Sequence, residues 1–391
     1  IVSGDDFYRP IIGYSRMDAF DPTNPGLDYN LRMIQEGRNK QTGTPTAEVA
    51  AEWEMVMNQG RMMSKNGGRM VDVLVSTRWN QNYPYNAMCP AYSGGPGGHF
   101  YAGCVATAMS QVMKYWDHPI QGVGSHSYTS QAHPYTSQHP VNIPAQPCSA
   151  NFGATTYDWE HMPDRITSSS PQQEINAIAT LMYHCAVAVD MDWDYDGSGS
   201  NSVTASQAIA TYFNYTHSAV YQLRAQYTST VWAQKVKESL DMGWPMMYSG
   251  VEEDQPYGHA FVLDGYNDND MYHFNYGWSG NGDDWFTFEV QDYHVNDGAI
   301  FNFVPEDVYN NTAQSPTNLV ATPADNNELK ATLTWTNPST TLNGSSLSSI
   351  DYIIVKRGEE VIATLDNPAP GAAMTYVDEY VPRFDYFQYS V

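Results

Sequence analysis

The chain has 391 residues and a formal net charge of −25, from 18 Lys and Arg against 43 Asp and Glu. This length fits two or three domains, each able to bury an apolar core. The charge excludes nucleic acid as an expected partner, because affinity for nucleic acid depends on cations that displace counterions from phosphate. No run of about 18 apolar residues occurs, so we expect no transmembrane segment.

Residues 1–68 combine short strand patterns with two helical ones, over Leu27–Glu36 and after Thr44-Pro45-Thr46. The segment ends in Lys65-Asn66-Gly67-Gly68, a polar and flexible stretch typical of a linker. We therefore predict a small α+β unit with an exposed exit. Because Ile1 opens directly in a strand-like segment, we expect the natural beginning, with an export signal, to precede it.

Residues 69–305 alternate helix and strand patterns, which predicts a larger α+β domain. The predicted helices include Cys104–Trp116 and Pro171–Val189, and the predicted strands include His259–Gly265 and Met271–Tyr276. The four cysteines are irregularly spaced and favour neither a disulfide framework nor a Cys-X-X-Cys metal site.

Residues 315–391 alternate short apolar strands with turn residues and contain no helical pattern, which predicts a β-sandwich. It resembles a fibronectin type III or immunoglobulin-like module, and its strand-like end suggests an incomplete one. The predicted strands are Leu319–Thr322, Lys330–Trp335, Ile350–Lys356, Glu360–Leu365 and Tyr386–Val391.

The most informative segment is a glycine-rich loop that leads into an apolar helix beginning at Cys104. A helix start favours thiolate over thiol, because its unpaired amides and the helix dipole stabilise negative charge. Cys104 is therefore a candidate nucleophile. The alternative is a buried, inert cysteine at the start of a core helix.

A cysteine nucleophile needs a base, and His259 lies at the mouth of an apolar strand, flanked by Gly258. An ion pair between the Cys104 thiolate and the His259 imidazolium would stabilise both charges, and the imidazolium could then protonate a leaving amine. The alternatives are that His259 is a satisfied core histidine, or that His99 is the base because it is near in sequence.

Two amides could complete a hydrolytic site. The Asn275 side-chain oxygen could accept the imidazole N–H and fix its tautomer, with Trp278 shielding that bond from water. Upstream, the Gln81 amide could join the Cys104 N–H as a donor to an oxyanion. Taken singly, Gln81 and Asn275 are ordinary loop residues, so the prediction depends on the whole set.

Four segments together resemble streptopain-type cysteine peptidases, a papain-like family that includes streptopain and interpain. They occur in the family's order and span most of residues 71–305. Here they read WNQNYPYN, GCVATAMSQVMKYW, GHAFVLDGY and YHFNYGWSG.

The resemblance implies a two-lobed papain-like catalytic domain, preceded by an inhibitory propeptide in 1–68 that is cleaved off. It implies Cys104 as nucleophile, His259 as base, Gln81 in the oxyanion hole and Asn275 as the residue that orients the histidine. It also implies a preference for a hydrophobic residue two positions before the cut. Where the family often has Asn-Trp-Gly-Trp, this chain has a tyrosine as the second of these residues.

An acidic stretch around Asp192 resembles the start of an EF-hand loop, but its twelfth position is Val203 instead of Glu. We therefore expect no metal, and the predicted chemistry needs no cofactor. By resemblance, the loop after this stretch lies near the substrate cleft. Its candidate substrate-binding residues are Gly197, Ser198, Gly199 and Ser200.

The function predicted from the sequence is a bacterial cysteine endopeptidase made as a zymogen, either secreted or located at the cell surface. Its expected partners are protein or peptide substrates and its own propeptide. One alternative is a papain-like acyl transferase or amidase. Another is an adhesin or binding protein in which the catalytic pair is permanently blocked.

Overall fold

The computed structural model describes residues 70–391, apart from 138, 254–257, 268, 290, 292, 325–327, 358–359 and 382–388. The predicted unit at 1–68 lies outside the described residues. The rest divides into two compact units. The first holds Val71–Tyr266 and Asp270–Pro305, and the second holds Glu306–Val391 together with Met70, Asn267 and Asn269.

The first unit is a mixed α/β structure of four helices and eight strands among its described residues. The helices are α1 (Cys104–Trp116), α2 (Gln172–Ala188), α3 (Ser202–Tyr212) and α4 (Ser229–Asp241). The strands are β1 (His126–Thr129), β2 (Pro147–Ala150), β3 (Val220–Leu223), β4 (Met246–Val251), β5 (Gly258–Tyr266), β6 (Tyr272–Asn275), β7 (Asp284–Phe286) and β8 (Val295–Phe301).

Helix α1 begins where Gly103 adopts a φ of 90° and ends where Asp117 adopts a left-handed φ of 46°. Its residues from Val105 to Met113 are all buried, because the helix packs against α2 on one side and β5 on the other. The sequence predicted one apolar face, whereas the structure surrounds the helix with protein.

Six strands form an antiparallel sheet in the order β3-β8-β4-β5-β6-β7, while β1 pairs only with β2. Side chains alternate between the faces of a strand. On β5, Ala260 and Val262 therefore pack into the core shared with α1, α2 and α3. Phe261 and Leu263 enter a second core on the opposite face, which contains Trp232 of α4. Strand β5 is thus held from both faces.

The second unit contains one short helix, α5 (Glu306–Asn311), and two three-stranded sheets among its described residues. One sheet has the order β13-β10-β9 and the other β12-β11-β14. Leu333 and Trp335 of the first sheet share a core with Ile353 and Val355 of the second. The strands are β9 (Thr317–Pro323), β10 (Ala331–Thr336), β11 (Tyr352–Arg357), β12 (Glu360–Asp366), β13 (Ala373–Asp378) and β14 (Tyr389–Ser390).

Candidate active site

Cys104 is the first residue of α1 and is partly exposed. A methyl group on Gly103 would lie 2.9 Å from the Ser198 carbonyl oxygen and 2.7 Å from the Met191 sulfur. Only glycine therefore fits immediately before the cysteine, because the φ of 90° is also unfavourable for other residues. The loop that contains Ser198 lies directly against this turn.

The thiol of Cys104 lies beside strand β5. Burial raises the pKa of Cys104, and the backbone N–H groups of Ala260, Val105 and Cys104 itself oppose that rise. The Ala260 amide belongs to the residue that follows His259, so the fold brings the start of β5 to the start of α1. The helix start acts in the predicted direction, but burial outweighs it.

His259 is buried among aromatic rings. Its Nε2 lies 2.8 Å from the carbonyl oxygen of Tyr276, and Trp278 stacks on its ring with a centroid distance of 4.7 Å. The carbonyl fixes the tautomer with the proton on Nε2, which leaves Nδ1 free to accept a proton. Burial lowers the pKa of His259 to about 4, with the Tyr276 carbonyl opposing the shift. The imidazole is therefore neutral at pH 7.

The hydrogen bond predicted between Asn275 and His259 is not formed. The Asn275 Oδ1 accepts from Gln111 Nε2 and from the Gly277 N–H, each at 3.1 Å, and its Nδ2 donates to the Thr77 carbonyl at 2.7 Å. These contacts use the amide to tie α1 to β6. The backbone carbonyl of the next residue occupies the place predicted for the Asn275 side chain.

Gln111 is a contributor that the sequence reasoning missed. It is fully buried on α1, and its Oε1 accepts from Thr77 Oγ1 at 3.0 Å and from the Trp79 N–H at 3.1 Å. With its bond to Asn275, it joins three segments behind the nucleophile. A glutamine on a helix rich in apolar residues is the sequence signal that could have identified it.

Asp283 is a second missed residue, and it acts on the histidine through the backbone. Its Oδ1 accepts the N–H of Tyr276 at 2.9 Å, and the carbonyl of Tyr276 receives the proton of His259 Nε2. Burial raises the pKa of Asp283 to about 7, with the Tyr276 N–H the strongest opposing influence. The carboxyl group thus fixes Tyr276, whose carbonyl in turn fixes the imidazole of His259.

The remaining predicted residues are placed as follows. The Gln81 carbonyl accepts the Ala102 N–H at 2.8 Å, which brings partly exposed Gln81 beside the turn into α1. The ring of His99, the alternative base, has its Nδ1 2.7 Å from the Cys89 carbonyl oxygen. None of the four cysteines forms a disulfide.

The loop predicted to bind substrate is closed at its base by one pair of hydrogen-bonded backbone residues. Asp192 and Gly199 exchange two hydrogen bonds, at 2.9 and 3.0 Å, which close the loop between them. Ser198 is buried, and Ser200 donates to the Val189 carbonyl. The loop therefore has a defined shape beside Gly103.

Comparison of the sequence with known protein families identifies the class of protein that has this fold and this arrangement of residues. Residues 79–286 match the Peptidase C10 family, over more than half of the chain. The chain belongs to this family of cysteine peptidases. The predicted resemblance and the predicted enzyme class are confirmed.

Two bacterial relatives are similar over most of the chain. The thiol protease/hemagglutinin PrtT of Porphyromonas gingivalis is 29% identical over 72% of this chain. Streptopain of Streptococcus pyogenes is 28% identical over 74% of this chain and 71% of its own length. The matched part of this chain spans about a third of PrtT, 31% of its length.

Solved structures give the same result for the fold. Active interpain A of Prevotella intermedia has a TM-score of 0.52 and 34% identity, and covers 60% of this chain and 94% of its own. A prointerpain A fragment with a cysteine-to-alanine substitution has a TM-score of 0.58 and 30% identity. It covers 77% of this chain and 90% of its own. The mixed α/β fold is thus that of a cysteine protease.

Among the described residues, no helix has the length and apolar character needed to cross a membrane.

Proposed function

We propose that this chain is a cysteine endopeptidase that is made as a zymogen and exported from a bacterium. The observation that carries the proposal is the junction of α1 and β5, where the Cys104 thiol meets the Ala260 amide next to His259. The imidazole has its Nε2 held by Tyr276, which leaves Nδ1 as the proton acceptor.

In the proposed mechanism, His259 Nδ1 takes the proton of the Cys104 thiol as the sulfur attacks a peptide carbonyl. The imidazolium then gives this proton to the departing amine, which leaves a thioester on Cys104. Water, deprotonated by His259, attacks the thioester and releases the carboxylic acid product, and the thiol is restored. Both groups begin and end the cycle uncharged, in agreement with the direction of their pKa shifts.

The oxyanion of each tetrahedral intermediate needs donors that are already in place. We assign the backbone N–H of Cys104 and the side-chain amide of Gln81 to this role. The hydrogen bond from the Ala102 N–H to the Gln81 carbonyl supports this assignment, because it holds Gln81 close to the nucleophile. A single donor of this kind typically contributes about 3 kcal/mol to transition-state stabilisation.

We further infer that Gly197, Ser198, Gly199 and Ser200 line the substrate cleft, beside a pocket for a hydrophobic side chain. Their loop packs against the glycine that precedes the nucleophile, which supports this assignment. We assign Trp278 to shield the base, because its ring stacks against His259. The first unit would then be the papain-like two-lobed domain, at 69–305.

We also propose that residues 1–68 are the inhibitory propeptide and residues 315–391 an immunoglobulin-like or fibronectin III-like module. The prointerpain fragment covers a larger share of this chain than active interpain does, which supports a precursor form. Two three-stranded sheets that share one core support a sandwich at the C-terminal end.

The direct test is to compare the full-length protein with its Cys104→Ala variant on casein, with an epoxide affinity label. We expect wild type to cleave casein, to bind the label at Cys104 and to lose about 68 residues by its own activity. The last number rests on the predicted linker. The Cys104→Ala variant should lose at least about a thousandfold in rate. Cys185→Ala, which changes a buried cysteine outside the site, is the matched control.

The same experiment separates hydrolysis from acyl transfer. In water labelled with ¹⁸O, a hydrolase places one labelled oxygen in each new carboxylate, whereas an acyl transferase given a primary amine forms an amide instead. Intact casein and an unlabelled Cys104, after removal of the N-terminal segment, would overturn the peptidase proposal and favour a blocked binding protein.

A further inference from the structure

Three histidines in the segment from 126 to 139 each pair with one of three alternate aspartates that follow α2. In each pair the histidine Nε2 faces the aspartate Oδ1. The pairs are His126 with Asp190 at 2.7 Å, His133 with Asp192 at 2.9 Å, and His139 with Asp194 at 2.7 Å.

Two of these pairs converge on one point. The rings of His133 and His139 lie 5.5 Å apart between centroids. One ring nitrogen of each, together with a carboxylate oxygen of Asp194, forms a group in which all atoms lie within 4.8 Å of one another. The three side chains are 24%, 21% and 22% exposed, so the group is sheltered but open to solution. We call these three residues the 133/139/194 cluster.

The donor set of this cluster selects one class of ion. Two imidazoles and one carboxylate are preferred by zinc and related transition metals, whereas calcium takes six to eight oxygen ligands. Around a tetrahedral zinc ion, with bonds of about 2.0 to 2.1 Å, the ligand atoms lie about 3.3 Å apart. Small rotations of partly exposed side chains bring atoms within 4.8 Å to that spacing.

We propose that the 133/139/194 cluster binds a divalent transition metal ion of the zinc type. Asp192, which already faces His133, or a water molecule takes the fourth position. The acidic stretch that suggested calcium in the sequence is thus one half of the site. The other half is supplied by histidines more than fifty residues upstream, and the site departs from the expectation that the chain binds no metal.

Bound metal would join two segments of backbone that are each already paired. His133 exchanges hydrogen bonds with Ile143 at 2.9 and 2.8 Å, and Asp192 does so with Gly199. The second pair closes the loop that lies against Gly103. We therefore expect the ion to raise the melting temperature of the protein.

The test uses the full-length chain with Cys104→Ala, because a catalytic thiol would itself bind zinc. The probe is Zn²⁺ alone, titrated calorimetrically after treatment with EDTA, and each variant is also melted with EDTA and with Zn²⁺. His139→Asn and Asp194→Asn should each weaken the tightest site at least about tenfold. His126→Asn alters a matched histidine–aspartate pair outside the cluster and should leave that site unchanged.

Equal zinc affinity in the parent, His139→Asn and Asp194→Asn proteins would overturn the proposal, as would loss of the tight site in His126→Asn alone. If a cluster variant fails to fold in EDTA, crystals of the Cys104→Ala protein grown with Zn²⁺ decide the question at the zinc absorption edge. An anomalous peak between His133, His139 and Asp194 supports the site. Peaks elsewhere only, or no peak, refute it.

Discussion

At the residue scale, burial governs the charge of both proposed catalytic groups. It raises the pKa of the Cys104 thiol and lowers that of His259 to about 4, so both shifts favour uncharged partners. The helix start and the nearby amides act on the thiol in the opposite direction without prevailing. The ion pair expected from the sequence alone therefore meets a desolvation cost that the linear sequence does not reveal.

The charge state of Cys104 can be measured by alkylation. In the full-length chain we expect iodoacetamide to label Cys104 more slowly than free cysteine at pH 7. The rate should rise about tenfold per pH unit until the thiol ionises, because only the thiolate reacts. Mass spectrometry of the Cys104 peptide, with free cysteine in the same solution as reference, gives the rates. Rapid labelling that does not vary between pH 5 and pH 8 would instead establish a thiolate–imidazolium pair.

Asp283 gives a pH dependence with a definite sign. Burial raises its pKa to about 7 in the folded protein, from the ordinary aspartate value of 3.8. The folded state therefore holds a proton that the unfolded state has already lost, and the free energy of unfolding falls as pH rises from about 4 to about 7. Asp283→Asn keeps an acceptor for the Tyr276 N–H and does not titrate, so it should remove this part of the pH dependence. Denaturant unfolding at several pH values measures it.

Asp283→Ala is the companion variant, because it also removes the acceptor. If Asp283 positions His259 through Tyr276, the alanine variant should lose activity, chiefly in kcat, while the asparagine variant retains most of it. Equal activity in the two variants would show that the carboxyl group has no positioning role. An unchanged pH dependence of unfolding in Asp283→Asn would contradict the shifted pKa.

At the scale of elements, strand β5 depends on its partner across the sheet. Gly250 of β4 pairs with His259, and a methyl group there would lie 1.7 Å from the carbonyl oxygen of Tyr293. The ring of Tyr293 is itself 5.0 Å from that of His259. Gly250 thus allows the backbone at Tyr293 to approach β4 closely, which places the Tyr293 ring beside His259.

Gly250→Ala should lower the free energy of unfolding by about 1 to 3 kcal/mol, because backbone atoms must move to admit the methyl group. We also expect a loss of peptidase activity beyond what the lower stability explains, since the displaced Tyr293 borders His259. Gly199→Ala is the control for stability, because nothing lies within 4 Å of its new methyl group. If both variants have the same melting temperature, the close approach at Gly250 is not a constraint.

Local patterns were sufficient to predict some elements. The predicted helix Cys104–Trp116 agrees with α1, and the strand predicted over His259–Gly265 lies inside β5. Strand β13 was not predicted although its Met374 and Tyr376 pack against the C-terminal core, whereas β9 and β12 were predicted and contain no fully buried residue. In the C-terminal unit, alternation along the sequence therefore does not follow how much of a strand is buried, because burial depends on how the two sheets pack.

The hydrogen bonds of the site were harder to predict than its elements. The sequence pairs Asn275 with His259 because they lie on neighbouring strands, but the Asn275 amide is hydrogen-bonded to Gln111 and Thr77 instead. Those partners lie 164 and 198 residues away along the chain. Which of several amides and carbonyls meets a side chain is decided by how helix and sheet pack, which no local pattern encodes.

At the scale of the whole molecule, the two units have separate apolar cores. Leu333 is fully buried in the C-terminal core, and Ile178 is fully buried in the core around α1 and α2. Leu333→Ala and Ile178→Ala should each cost about 2 to 5 kcal/mol of the unit concerned, through lost burial and the cavity that remains. In calorimetry of the full-length protein, we expect two transitions. Leu333→Ala should lower only the C-terminal one and leave peptide hydrolysis at 25 °C unchanged, whereas Ile178→Ala should lower the other. A single transition that both substitutions move together would show that the two cores unfold as one cooperative structure, and the C-terminal unit would then be part of the stability of the enzyme itself.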